Sequence, residues 1–179
     1  MTDLLLLHDG IMSGQQTLLL EPVNVAAVAH EAYASRLRLH NVQPTHEYFD
    51  VTTHAWPAHS DRTALKAALE ALCDVLIQTS HQPLETSARV VKRDQNVELQ
   101  ITDNGPVIQR RIFQSRLEAM PTIAQPLEGL RAHSALAFSI ARDLVGSVKG
   151  RLSMAATADG RRHTIVSLPM TAQLDLLRV

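Results

Sequence analysis

The sequence predicts an α/β protein of the α+β type, a two-layer sandwich in which helices cover one face of a mixed, mostly antiparallel sheet. Two observations support this prediction. Short β-rich segments occur in pairs joined by polar turns, which is typical of hairpins. Single amphipathic helices separate these pairs, so the helices and the sheet form separate layers. With 179 residues and 45% apolar content, the chain can bury one sizeable core.

The sequence of the first half of the chain predicts three helices and one strand. Residues 1–12 are apolar and helix-compatible, and Gly14 ends this helix because glycine tolerates the left-handed conformation. Asn24 is a credible N-cap for a helix over residues 26–39. The β-rich segment 48–56 precedes Pro57, and Ser60 or Asp61 can cap the next helix, whose leucines recur with helical spacing.

The second half repeats the pattern of hairpins and helices. Residues 86–92 and 96–102 are predicted strands around a polar turn, and residues 134–145 are predicted to be helical. Residues 151–155 and 163–168 form the last predicted hairpin, which Pro169 ends because proline donates no ladder hydrogen bond.

Charge and composition restrict the function. A net charge of −1 offers no general attraction to nucleic acid or to anionic membranes. The single Cys73 cannot form an internal disulfide and favours a reducing compartment. The apolar run Leu4 to Leu7 is too short to span a membrane and lacks the flanks of an export signal. We therefore expect a cytoplasmic protein without nucleic-acid binding or membrane insertion.

The stretch from Val97 to Ile108 carries the strongest functional signal. It reads as a buried strand that runs into an acidic, glycine-bearing turn. An Asp103 carboxylate held there could accept a hydrogen bond from a buried ligand amine. The same Asp103 and Gly105 could instead form an ordinary β-turn, since D-x-G is a common turn sequence.

Four segments resemble the GHKL ATPases, which include the sensor histidine kinases. The DNG turn at Asp103 is similar to the D-x-G-x-G turn of that family, and Glu21 to Val25 matches an E-P-V-D-L-like segment. The stretch 133–145 is similar to G-x-G-L-G-L-S-I-V-R-D-L-V, and GRRHTIVSLP at the end is similar to G-x-G-T-x-F-x-x-x-L-P. The resemblance implies a Bergerat-type ATPase domain over residues 17–170. It also implies that residues 1–16 are the end of a dimerisation hairpin and that residues 171–179 form a tail.

The resemblance implies nucleotide-site residues, and several of them are replaced. Asp103 is the implied adenine carboxylate, with Gly105 beside it. Val75 stands where the magnesium-binding asparagine would be, and a hydrocarbon cannot ligate Mg²⁺. Asp74 could replace that asparagine only if the helix were distorted, since neighbouring helical residues point about 100° apart. The second glycine of the turn is Val107.

The implied phosphate loop has also lost its glycines. They are replaced by His133, Ala135 and Ala137, and alanine favours extension of the following helix. ATP and Mg²⁺ are therefore expected to bind weakly or not at all. Downstream of the turn, Arg110, Arg111 and Arg116 form a basic cluster that could pair with a phosphate or a partner carboxylate, although solvated loop arginines are the favoured interpretation.

The histidines offer a phosphoacceptor candidate and no metal site. His8 precedes Asp9 on a helix, and a phosphoacceptor histidine in this superfamily is often followed by an acidic residue. However, the helix resembles the second helix of the hairpin, whereas the acceptor normally lies on the first. Among the nine histidines, no pair has a convincing metal-ligand spacing on one element.

Two functions of different class follow from this sequence. The first is a pseudo-enzyme: a histidine-kinase-like domain of a two-component or phosphorelay system that acts through contacts with a response regulator or a kinase-like partner. The second is a divergent but active ATP-dependent protein histidine kinase or anti-sigma-like kinase. In either case the N-terminal helix could support a homodimer.

Overall fold

A computed structural model of the chain describes residues 2–43, 46–50, 56–81, 83–106 and 132–171. Within these ranges the chain forms four helices and seven strands. The helices are α1 (Thr2–Met12), α2 (Val25–His40), α3 (Arg62–Thr79) and α4 (Ala132–Ser147). The strands are β1 (Glu21–Asn24), β2 (His46–Asp50), β3 (Pro57–Ser60), β4 (Glu85–Arg93), β5 (Asn96–Asp103), β6 (Arg151–Ala156) and β7 (Arg162–Pro169).

Five of the strands form a mixed sheet in the order β2-β4-β5-β7-β6. Strand β2 pairs with β4 in parallel, and the other three pairings are antiparallel. Strand β5 is therefore the central strand. Its last residue, Asp103, lies directly opposite Arg162, the first residue of β7. The predicted α+β sandwich with a mostly antiparallel sheet is confirmed.

The capping predictions for the two central helices are confirmed. Asn24 accepts a hydrogen bond from the Ala27 amide at 3.1 Å, and Asp61 accepts one from the Ala64 amide at 2.8 Å. Each cap satisfies an amide that the first helical turn leaves without a partner. Gly14, which follows α1, has a φ of +74°, a conformation that side chains disfavour.

One continuous apolar core lies between the helices and the sheet. Alternate residues of the central strands point toward the helices because side chains along a strand alternate between its two faces. The sheet contributes Val97, Leu99, Ile101, Val166 and Leu168, and the helices contribute Val28, Leu65, Leu72, Val75, Ile140 and Leu144. Ile11 of α1 also belongs to this core, and Leu4 and Leu7 pack against it.

A second, two-stranded sheet was not predicted. Strand β1 pairs antiparallel with β3, with Glu21 opposite Ser60 and Asn24 opposite Pro57. The predicted strand over residues 48–56 was wrong at its boundaries: β2 covers His46–Asp50, residues 51–55 lie outside the described ranges, and β3 starts at Pro57. Four-residue strands far apart in sequence give no local hairpin signal, so their pairing is invisible without the fold.

The expected division at residues 16 and 170 stays a prediction. Residues 172–179 of the expected tail lie outside the described residues. None of the helices that the structure describes is both long and apolar enough to cross a membrane.

Candidate functional site

Asp103 ends strand β5, where the sequence predicted a buried strand that runs into a turn, and its carboxylate lies beside the end of α3. Its side chain is fully buried. One carboxylate oxygen, Oδ1, accepts a hydrogen bond from the Gly105 amide at 2.7 Å and lies 3.0 Å from the Ser80 hydroxyl. The bond to the Gly105 amide is an Asx-turn, in which the aspartate closes the turn that follows its own strand.

Arg162 binds this carboxylate through two adjacent nitrogens of its guanidinium. Nε donates to Asp103 Oδ2 at 3.0 Å, and Nη2 donates to Asp103 Oδ1 at 2.7 Å. Both side chains are 0% exposed. A bidentate arginine–carboxylate pair is among the stronger and more directional hydrogen-bonded contacts in proteins. Asp103 therefore faces a guanidinium instead of an open groove.

The C-terminal turn of α3 completes the surroundings of the guanidinium. Nη1 donates to Thr79 Oγ1 at 2.6 Å, and Nη2 also donates to the Leu76 carbonyl and to Ser80 Oγ, each at 3.2 Å. The last turn of α3 contains no basic residue of its own. Since a helix C-terminus carries partial negative charge, Arg162 supplies the cation that this end of the helix favours.

Gly105 leaves the space that the guanidinium needs. A Cβ atom built on Gly105 would overlap Nη2 and Cζ of Arg162 and would lie 2.7 Å from Asp103 Oδ1. The backbone of the turn therefore passes directly against the ion pair. In this fold the glycine of the D-x-G sequence is required by close approach to Arg162.

A small cavity lies between α2, α3 and the sheet in the described part of the chain. It is lined by Tyr33, Cys73, Leu76, Thr86 and neighbouring apolar residues and measures about 10 Å³. Such a volume holds one water molecule at most. Burial also raises the pKa of the Cys73 thiol to about 12, so the thiol stays protonated and unreactive at neutral pH.

Val75, at the implied magnesium position, and Asp74 beside it both have their side chains engaged elsewhere. Val75 is fully buried in the apolar core. Asp74 points toward α2, where Oδ1 lies 2.8 Å from His40 Nε2 and Oδ2 lies 3.6 Å from Arg36 Nη1. Asp103, in contrast, contacts Ser80 at the end of α3, and its partner Arg162 contacts Leu76 and Thr79. Asp74 and the surroundings of Asp103 therefore lie on different sides of that helix.

The stretch that replaces the glycine-rich loop is part of α4. The helix begins at Ala132, and its backbone therefore includes His133, Ala135 and Ala137. Ala137 is buried, and Ser134 Oγ donates to Gln78 Oε1 of α3 at 3.0 Å. This part of the backbone is thus helical, and Ser134 joins it to α3. Val107 and the basic cluster of Arg110, Arg111 and Arg116 lie outside the described residues.

His8 faces α4 instead of open solvent. Its Nε2 atom lies 3.4 Å from Asp143 Oδ2, and about a quarter of its side chain is exposed. The described residues contain no group of three or more histidine, cysteine or acidic side chains that could hold a metal ion.

Arg162 was not singled out in the sequence. Arginine is rarely fully buried, and its partner Asp103 is far away along the chain. A signal was nevertheless present in the resemblance at the C-terminus. Counting seven positions back from Pro169 through G-x-G-T-x-F-x-x-x-L-P reaches Arg162, where that pattern has threonine. Among the departures from the family pattern, this replacement of threonine by arginine, opposite the implied adenine carboxylate, changes the surroundings of Asp103 most.

The fold places the chain in a known structural class. Its two-layer arrangement is that of histidine kinase catalytic domains. The catalytic domain of the histidine kinase ThkA superposes with a TM-score of 0.64 at 16% identity, over 85% of this chain and 97% of that domain. The Acinetobacter baumannii histidine kinase AdeS matches with a TM-score of 0.61 at 21% identity, over 95% of this chain and 77% of that one.

A third structure extends the similarity. Full-length ShkA in complex with AMPPNP has a TM-score of 0.65 at 13% identity, over 94% of this chain and 35% of that protein. No protein-family model matches the sequence, and no curated protein matches it. The similarity to histidine kinases is therefore a similarity of fold.

Proposed function

We propose that this chain is a histidine-kinase-like signalling domain that does not use ATP and acts through contacts with other proteins. The observation that carries the proposal is the bidentate pair between Arg162 and Asp103. The carboxylate implied to bind adenine is fully buried, and both of its oxygens are already bonded to a guanidinium. A nucleobase amine would have to displace a buried ion pair before it could reach Asp103.

The phosphate and metal sites support the same proposal. Val75 offers no oxygen to Mg²⁺, and Asp74 is engaged by His40 and Arg36. Residues 133–137 form helix where a phosphate loop would need its backbone amides free. The residues present at the three implied contact points for Mg·ATP therefore do not fit that ligand.

Titration of the wild-type protein with Mg·ATP and with ADP tests the proposal directly. We expect no heat of binding in calorimetry and no change in the thermal midpoint at about 1 mM nucleotide. A dissociation constant of about 100 μM would stabilise the fold by about 1.4 kcal/mol at that concentration, which shifts the midpoint by about 3–6 °C. A shift of this size would support the alternative, a divergent ATP-dependent histidine kinase or anti-sigma-like kinase.

Protein contacts are proposed to take place at the N-terminal helix. One side of α1 packs on the core, while Leu5, Leu6 and Met12 are exposed on its other side, with Leu6 at 66%. An exposed apolar strip on a short helix favours association with another apolar surface. A second copy of the chain is the simplest partner, and a response regulator or kinase-like protein is the other proposed partner.

Light scattering of the wild type and of two variants tests this surface. Leu6→Glu should shift a dimer toward monomer, whereas Leu39→Glu, which changes an equally exposed leucine on α2, should leave the mass unchanged. A monomeric wild type at high micromolar concentration would contradict self-association through α1.

A further inference from the structure

We infer that Arg162 is an internal ligand, whose guanidinium fills a preformed binding site for a small planar cation of the guanidine class. The inference deepens the proposed function, because it states what occupies the site that ATP does not use. Asp103, Gly105 and the last turn of α3 build this site, and β7 contributes only the ligand.

The site provides a partner for each nitrogen of the guanidinium. Nε and Nη2 bind the two oxygens of Asp103, Nη1 binds Thr79 Oγ1, and Nη2 is also within reach of the Leu76 carbonyl and Ser80 Oγ. All of these acceptors belong to β5, α3 and the residue that caps α3. Strand β5 pairs with β7 through backbone hydrogen bonds, which removal of the arginine side chain leaves intact, so the acceptors should stay in place in that variant.

The shape of the site selects a flat group. The Gly105 backbone lies against Nη2 and Cζ so closely that not even a methyl group fits between them. Asp103 presents its two oxygens to adjacent nitrogens of one plane. An ammonium ion is a compact point charge without this fork, and it cannot reproduce the bidentate contact.

Removal of the side chain beyond Cβ should therefore leave a site with a defined ligand. The missing part of Arg162→Ala is N-ethylguanidinium, and the remaining pocket contains a buried carboxylate without its counter-ion. An unpaired buried carboxylate is unfavourable. Addition of the missing cation should thus restore both the hydrogen bonds and the charge balance.

Thermal unfolding of Arg162→Ala with added N-ethylguanidinium chloride tests the inference. At about ten times its dissociation constant, the ligand should raise the midpoint by about 3–6 °C. Ethylammonium chloride at equal concentration should not raise it. The concentrations must stay below those at which the same salt lowers the midpoint of the wild type.

Three proteins serve as controls. The wild type and Arg161→Ala should show no stabilisation by N-ethylguanidinium, because their internal ligand is in place. The double variant Arg162→Ala with Asp103→Asn should lose the response, because the amide replaces one oxygen by a donor. A folded Arg162→Ala protein that does not respond, or that responds equally to ethylammonium, would overturn the inference.

A measurement on the wild type covers the case in which Arg162→Ala does not unfold cooperatively. The Nε–H of Arg162 is buried and bonded to Asp103, so its NMR signal should exchange slowly with water and should disappear in Arg162→Lys. Fast exchange of all arginine Nε–H signals would refute the internal ligand. Neither result depends on the nucleotide titration, so the inference and the proposed function can fail separately.

Discussion

Substitution of Arg162 by methionine tests the energetic role of the buried pair. Methionine keeps most of the aliphatic length but removes the guanidinium, and among the described residues it leaves Asp103 with Ser80 and Gly105 as partners. Breaking a buried ion pair from one side costs about 3–5 kcal/mol because the remaining charge is uncompensated. Since whole domains are stable by about 5–15 kcal/mol, this loss should be a large part of the total.

The neighbouring arginine provides a matched control in the same strand region. Arg161 Nη2 lies 3.0 Å from Glu85 Oε2, but the two side chains are 36% and 42% exposed. An exposed ion pair contributes about 0–1 kcal/mol to stability. Arg161→Met should therefore change the unfolding free energy by less than about 1 kcal/mol. Urea unfolding followed by circular dichroism would measure both variants under identical conditions.

The double variant separates charge pairing from packing. Arg162→Met combined with Asp103→Leu removes both charges, and apolar replacement of a whole buried pair is often neutral or stabilising. We expect it to be more stable than Arg162→Met alone. A cost below about 1 kcal/mol for Arg162→Met would show that the pair is solvated, and it would refute the explanation that a buried guanidinium occupies Asp103.

Three further substitutions test other parts of the structure. Gly105→Ala should lower the free energy of unfolding by about 1–3 kcal/mol in urea, because its Cβ would overlap the Arg162 guanidinium. Gly146→Ala in α4 is the control: its Cβ would meet no atom within 4 Å, so it should not destabilise the protein. Asp61→Ala should cost about 0.5–2 kcal/mol by thermal unfolding, since it removes the cap of α3; an unchanged midpoint would contradict that role.

The third substitution, Cys73→Ala, tests how stability depends on pH. Burial raises the pKa of the Cys73 thiol to about 12, whereas an unfolded thiol has a pKa of about 8.5. The folded state then holds its proton more tightly, so the unfolding free energy should fall as pH rises between these values. In urea unfolding, the free energy of unfolding of Cys73→Ala should fall less with rising pH than that of the wild type. Equal pH dependence in the two proteins would contradict the raised pKa.

Local chemistry made part of the fold predictable. Asn24 and Asp61 cap helices within three residues of themselves, and the hairpin of β4 and β5 turns at Asp94, which has a φ of +54°. Such signals depend on neighbours along the chain. Asp103 was found in the same way, since the strand and the turn around it are contiguous in sequence.

The features that escaped prediction depend on distant partners. Strand β1 acquires its hydrogen bonds from β3, and Arg162 becomes buried only because β7 lies beside β5. Propensity places an arginine at the surface, and only the tertiary register brings it opposite a carboxylate. The sequence identified the acidic half of the site, and the fold was needed to supply the basic half.

The pairing of Arg162 with Asp103 also limits how this chain can change over generations. Loss of either charge alone leaves the other charge buried without a partner. Each single substitution therefore produces a less stable protein. The two codons are therefore expected to change together or not at all. Once such a pair is established, a return to an open carboxylate requires a stabilising change elsewhere before the first step can be tolerated.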